Sequence, residues 1–178
     1  MTEQTLTAPP PTAPAIDTRD FRRALSQFPT GVTVVTTLDD GGAPIGVTAS
    51  SFNAVSLDPP LILWSVDKAA YSAAIFRDAE HFVVNVLSAD QIAISNRFAS
   101  RGEDKFKEIA WTPGLGGCPV FDDLAARFEC RTWNVYDGGD HLIVVGQVMS
   151  YSYENALAPL VFAKGGYAVS ERHPAMAG

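Results

Sequence analysis

Cysteine is nearly absent from this 178-residue chain, with Cys118 and Cys130 its only two. Their spacing fits no zinc site and their number is far below that of a disulfide scaffold, which leaves buried thiols in a reducing compartment. No apolar run approaches the roughly 20 residues of a membrane-spanning helix. The opening MTEQTLTAPPPTAPA has neither a basic start nor an apolar core, so it does not read as a secretory signal. Basic residues are also short, 13 Lys and Arg against 20 Asp and Glu, for a net charge of −7. A duplex-binding face needs the opposite balance. There is no GxGxxG after the first strand, no GxxxxGK[ST] and no GxSxG, which removes the usual Rossmann, P-loop and hydrolase signatures. The expectation is a cytoplasmic protein that engages neither nucleic acid nor membrane.

What is present is an ordinary globular composition, 47% hydrophobic with 10% aromatic residues, in a length that suits one domain. The three consecutive prolines Pro9 to Pro11 suggest a flexible arm over residues 1–16, followed by a folded domain over 17–168 and a loose tail over 169–178. Asp17 or Thr18 caps a first helix with Phe21, Ala24, Leu25 and Phe28 on one face, ended by Pro29. Gly31 to Leu38 reads as a strand, and Asp39-Asp40-Gly41-Gly42 as a hairpin turn. The second arm of that hairpin is the segment GVTASSFNAVSLDPP, from Gly46 to Pro60. Leu61 to Val66 is continuously apolar and reads as a strand buried on both faces. A short helix is expected from Ala69 to Asp78, then a strand from His81 to Leu87. Ser88 and Gln91 have capping-box spacing ahead of a helix carrying Ile92, Ala93, Asn96 and Ala99. Lys107 to Pro119 reads as a long loop anchored by Trp111. Phe128 to Tyr136 and His141 to Tyr151 form a second hairpin around Asp137-Gly138-Gly139-Asp140. Pro159 to Phe162 makes a last short strand. Strands outnumber helices about seven to three in this reading, which favours a mainly β barrel with helical insertions over a doubly wound α/β sheet.

Three places carry candidate chemistry. Thr48, Ala49, Ser50 and Ser51 put short and hydroxylated side chains into a strand, where a flat ligand can lie close to the backbone and find hydrogen-bond donors. A plain Ser/Thr-rich bend would look the same, and Thr30 stands at the foot of the neighbouring strand. Arg101, Lys105 and Lys107 form a basic loop suited to a phosphate-bearing ligand, although interleaved with acids. His141 follows Gly139 and Asp140 at a strand mouth, where Asp140 raises its basicity and the ring can meet a ligand amide or pyrophosphate.

Taken in order, FRRALSQFPTGVTVVTT, GVTASSFNAVSLDPPLIL, FVVNVL, FASRGEDKF, FEC, GGDHLIVVGQV, PLVF and GGY resemble the short-chain flavin reductases, the reductase components of two-component flavin-dependent monooxygenases. The resemblance runs from about Phe21 to Tyr167. It implies an FMN-binding split β-barrel of Greek-key-like connectivity that forms a homodimer with flavin near the subunit interface. It further implies reduction of FMN or FAD by NADH or NADPH, with the reduced flavin leaving for a partner oxygenase. Flavin contacts carry over to Thr30, Thr48, Ala49, Ser50, Ser51, Asp67, Lys68, Ser72, Arg101 and Lys105, and nicotinamide-nucleotide contacts to Gly139, Asp140 and His141. Hydride transfer between stacked rings needs little acid–base help, so no obligatory catalytic acid and no metal are expected. Two other readings stay open: a module that holds flavin tightly for electron transfer, and a relative of the pyridoxamine-phosphate oxidases.

Overall fold

The computed structural model describes residues 15–102 and 104–176. Most of the proline-rich arm, Glu103 and the last two residues lie outside that range.

Helix α1 (Thr18–Leu25) starts where the Asp17 carboxylate accepts the N–H groups of Arg19 and Asp20 at 2.8 and 3.3 Å, the capping expected of that residue type. It stops at Leu25, before Pro29 is reached, and none of its residues is buried. The expected first strand is interrupted at Val32, giving β1 (Thr30–Gly31) and β2 (Thr33–Leu38). The Asp39–Gly42 turn forms as expected, with Asp39 Oδ1 accepting from Gly41 and Ala43, and leads into β3 (Pro44–Ala49). The segment from Gly46 to Pro60 is not one arm. β3 ends at Ala49, the chain crosses at Ser50–Phe52, and β4 (Asn53–Leu57) makes a new hairpin with β5 (Pro60–Asp67).

Next come α2 (Ser72–Asp78), β6 (His81–Val86) and α3 (Ile92–Ala99). Only half of the expected capping box forms. Gln91 Oε1 accepts the Ser88 N–H at 3.0 Å, whereas Ser88 receives the Gln91 N–H on its backbone carbonyl. The buried face of α3 is Ser95 and Phe98, not the Ile92, Ala93, Asn96 and Ala99 face. The expected long loop contains a small hairpin of its own, β7 (Trp111–Pro113) with β8 (Pro119–Phe121). β9 (Ala126–Gly138) and β10 (His141–Tyr153) form the second hairpin, longer than expected at both ends. β11 (Leu160–Ala163) and β12 (Gly166–Val169) finish the chain, β12 being a strand that the sequence reading did not separate.

Seven strands in the order β3-β2-β6-β9-β10-β5-β4 make one antiparallel sheet, and β1, β11 and β12 a second, smaller one. The large sheet curls until its ends meet. Ser51 Oγ accepts the Ser65 N–H at 2.8 Å and reaches the Ser65 carbonyl at 3.2 Å, so one hydroxyl bridges the seam between the crossing and β5. Inside lie Val35, Trp64, Phe76, Phe82, Val84 and Val144. A second apolar layer with Val34, Leu87, Phe98, Phe121 and Leu160 packs on the outside of β2.

Burial on both faces therefore belongs to β2, buried throughout Thr33–Thr37, and not to β5. In β5 only Ile62, Val66 and the fully buried Trp64 point inward, while Leu61 and Leu63 remain half-exposed because no element among the described residues covers them. Buried polar groups on β2 and β6 are answered by backbone. Thr33 Oγ1 donates to the Ala49 carbonyl and Thr37 Oγ1 to that of His81, both at 2.8 Å. Asn85 donates to Val34 and accepts from Phe121, which ties β8 to the barrel. Among the described residues no helix is long and apolar enough to cross a membrane.

Candidate active site

Strand pairing gathers most of the candidate residues at one end of the barrel. β5 and β10 pair so that His141 stands opposite Asp67, and β9 places Gly138 opposite His141 on its other side. The Asp67-Lys68 corner and the Gly139-Asp140-His141 turn are thus neighbours. The Lys68 N–H donates to the Asp140 carbonyl at 3.0 Å, and Asp67 Oδ1 accepts the Ala69 N–H at 2.8 Å as the chain turns toward α2. Because Ser51 is bonded to Ser65, two residues before Asp67, the Ser50-Ser51 crossing opens onto the same end.

On this ledge Asp140 Oδ1 lies 2.7 Å from His141 Nδ1, leaving Nε2 as the outward ring nitrogen. The carboxyl of Asp140 is held below its ordinary value by that bond and by the charge of His141, with a smaller pull from Arg22. Arg22 also lines a cleft of about 220 Å³ with Leu25, Ser26, Phe28, Thr30, Ser50 and Phe162. Ser50 belongs both to this cleft and to the Ser50-Ser51 crossing, and the cleft residues were only partly legible: Thr30 and Ser50 were singled out, whereas Arg22, Phe28 and Phe162 were read as helix or strand residues without a role at the site.

The remaining candidates separate. Thr48 Oγ1 is committed to the Ser95 carbonyl at 2.7 Å, fixing α3 against β3. Ala49 packs its methyl into the core, 8% exposed, so at this level only its neighbours Thr48 and Ser50 present side chains outward. Ser72 is nearly buried at the start of α2. Lys105 donates from Nζ to the Phe98 carbonyl at 2.9 Å, the place where a cation complements a helix C-terminus, and burial lowers its pKa. Arg101 is exposed beyond the end of α3. A Tyr167 hydroxyl 2.8 Å from both Ser95 Oγ and Asn96 Oδ1 braces the same helix from β12. No sequence signal pointed to that contact.

Cys118 and Cys130 are free and buried, and burial, with Glu129 adding to it, pushes the Cys130 thiol up to about 12. Among the described residues no group of three His, Cys, Asp or Glu side chains is placed to hold a metal. A larger cavity of about 330 Å³, bounded by Asp39, Asp40, Tyr71 and Asp78, contains none of the candidate residues. Its size does not make it the site, because the Asp39 carboxylate is engaged by turn N–H groups and that of Asp78 by Arg77.

Hydroxyls, small residues and one histidine thus share one end of an antiparallel barrel, beside a cleft lined by Arg22, Phe28 and Phe162. Residues 25–171 match the flavin reductase like domain, and the chain belongs to that family. It is 45% identical over 156 residues to a probable flavin reductase of Rhizobium meliloti, covering 88% of this chain and 50% of that protein. It therefore spans half the length of that relative. It is 44% identical over 155 residues to the flavin-dependent monooxygenase reductase subunit HsaB of Rhodococcus jostii, covering 87% of this chain and 79% of that one. Among solved structures, the NADH:FAD oxidoreductase SgcE6 of Streptomyces globisporus aligns with a TM-score of 0.81 at 35% identity, covering 98% and 99% of the two chains. The family and the mainly β barrel expected from the motifs are both borne out.

Proposed function

We infer that this chain reduces free FMN or FAD with NADH or NADPH in the cytoplasm and releases the reduced flavin to a separate monooxygenase. The observation that carries the reading is the register that sets Asp67 opposite His141, because it brings the corner expected to meet flavin and the turn expected to meet the nicotinamide nucleotide to one ledge. The names of the relatives, a monooxygenase reductase subunit and an NADH:FAD oxidoreductase, lend the same support.

The residues fit a flavin. Ser50 and Ser51 lie exposed where the strand breaks, Phe28 and Phe162 give the neighbouring cleft aromatic walls, and Arg22 supplies a cation. Arg101, beyond α3, is the further cation proposed for the phosphate side, whereas Lys105 is spent on the Phe98 carbonyl, and Thr30 lines the cleft. When bound, the flavin would supply an acceptor for hydride from the dihydronicotinamide. The protein's part is to seat one face of the ring against the crossing and leave the other to a nucleotide held by Gly139, Asp140 and His141. Stacking then does the work, and no side chain has to move a proton.

The described residues of one chain do not enclose this site. Ligand pockets usually measure roughly 300–1,000 Å³, and the cleft, walled on one side by Arg22 and Leu25 of α1, measures only about 220 Å³. On α1 and just after it, Phe21 is 50% exposed, Leu25 57% and Phe28 74%, and on the outer face of β9 and β10 Trp133 is 51% and Tyr151 67% exposed. Residues this apolar are normally covered. A second copy of the chain is the occupant proposed here, which would complete the flavin cleft. Phe28→Glu should then shift sedimentation to a monomer and weaken flavin use together, and an unchanged sedimentation coefficient would remove the dimer from the proposal.

The main test is steady-state oxidation of NADH and of NADPH with riboflavin, FMN and FAD supplied in turn to the full chain. Fast turnover of added flavin, with little flavin retained on purification, is expected. A protein that purifies yellow and turns over free flavin poorly would instead be a tight flavin-binding electron carrier.

A further inference from the structure

The resemblance assigns Lys68 to the flavin, yet its ammonium is already engaged elsewhere. Nζ lies 2.6 Å from Asp137 Oδ2 and 2.6 Å from the Gly139 carbonyl. Asp137 Oδ1 in turn accepts the Gly139 N–H at 3.0 Å, and the carboxyl of Asp137 is held below its ordinary value first by the Lys68 bond and then by the Gly139 N–H. Lys68 leaves the end of β5, passes the start of β10 and reaches the end of β9, so one side chain spans the mouths of three adjacent strands. A lysine whose charge is met by a carboxylate at that distance has little left to attract a phosphate. What it does hold is a two-residue turn that has few constraints of its own. Gly139 has a φ of +83°, no residue from Tyr136 to Asp140 is more than partly covered, and the adjacent Asp140 and His141 bond chiefly to each other.

We propose that Lys68 is a positioning residue that staples the β9–β10 turn and presents Asp140 and His141 to the nicotinamide nucleotide. This rests on the reading of that turn as the nucleotide contact. Lys68 therefore governs use of the reductant and not recognition of the flavin phosphate. Removing it leaves the turn folded but mobile, and the nucleotide then meets a disordered partner more often than an ordered one.

The test compares Lys68→Met, Asp137→Ala, the double variant and His141→Ala in the full chain, with NADH as reductant and either FMN or riboflavin as acceptor. Lys68→Met and Asp137→Ala should each raise KM for NADH by roughly three- to tenfold, the range expected for losing a charge-assisted bond at a partly exposed site. The double variant should be no worse than the poorer single one, since both changes undo one staple. The ratio of KM for FMN to that for riboflavin should not move, and kcat should stay within about twofold. A Lys68→Met enzyme that loses its preference for FMN over riboflavin while its KM for NADH is unchanged would make Lys68 a phosphate ligand and overturn the proposal. Additive effects of the two single changes would overturn it as well. His141→Ala separates the two levels of the argument: if it alone raises KM for NADH the staple is refuted, and if neither it nor Lys68→Met does, the assignment of the turn falls with it.

Discussion

Replacing Gly46 with alanine probes how closely β3 and α3 are fitted. A Cβ built at Gly46 would stand 2.6 and 2.7 Å from two ring carbons of Phe98 and 3.2 Å from the Phe106 ring. Optimal carbon–carbon contact is at about 3.5–4.0 Å, so the overlap with Phe98 approaches an ångström. Phe98 cannot swing away. It is fully buried and held edge-on by Phe106 at 4.9 Å, with Phe121 at 5.3 Å on another side. Overpacking of this kind costs about 1–3 kcal/mol. The stiffer unfolded chain returns only about 0.4–1 kcal/mol, so destabilisation wins. At this chain length each kcal/mol lowers Tm by roughly 2–4 °C, and a net fall of a few degrees is expected. Thermal unfolding by circular dichroism at fixed protein concentration measures it. Gly46→Ala combined with Phe98→Leu should recover part of the loss, because the smaller side chain vacates the contested space. A Gly46→Ala protein that melts within a degree of the parent would refute the claim that β3 needs a hydrogen at this position.

Ser51→Ala removes both bonds to Ser65 across the seam and should cost about 1–2 kcal/mol by urea unfolding. If KM for flavin rises without a fall in stability, Ser51 is a ligand contact and not a clasp. Thr48→Val keeps the shape but loses the donor to Ser95, so roughly 1 kcal/mol of stability should go with little change in secondary structure. Cys130, with its folded pKa raised to about 12 from an ordinary 9.0, favours the folded state fully below the unfolded value. That contribution fades as pH rises from about 9 to about 12, because the unfolded thiol ionises first. Urea titrations across that window should show a decline that Cys130→Ala lessens, and a parent and variant with parallel curves would contradict it.

The turns were the most legible parts of the chain. Asp39-Asp40-Gly41-Gly42 and Gly139-Asp140 stand between alternating apolar runs, and local turn chemistry decides such positions. Faces were less legible, since they depend on what lies opposite. The apolar stripe of α1 was correctly located yet is exposed in this chain, and α3 buries Ser95 and Phe98 because β3 offers Thr48 as a donor to the Ser95 carbonyl. Gly46, in the same strand, carries no local sign of the Phe98 ring that explains it. Pro113 and Pro119 disguised the β7–β8 hairpin as a loop, since proline is a poor strand signal away from sheet edges. The site divided in the same way. Candidate residues could be listed along the chain, but the registers of β10 against β5 and β9 are long-range facts, and only they bring Lys68 to Asp137.

If a second copy of the chain completes the cleft, as proposed, catalytic output is tied to how much protein is present. On dilution, specific activity should fall while the barrel itself stays folded, so the inactive species at low concentration would be an intact protomer waiting for its mate.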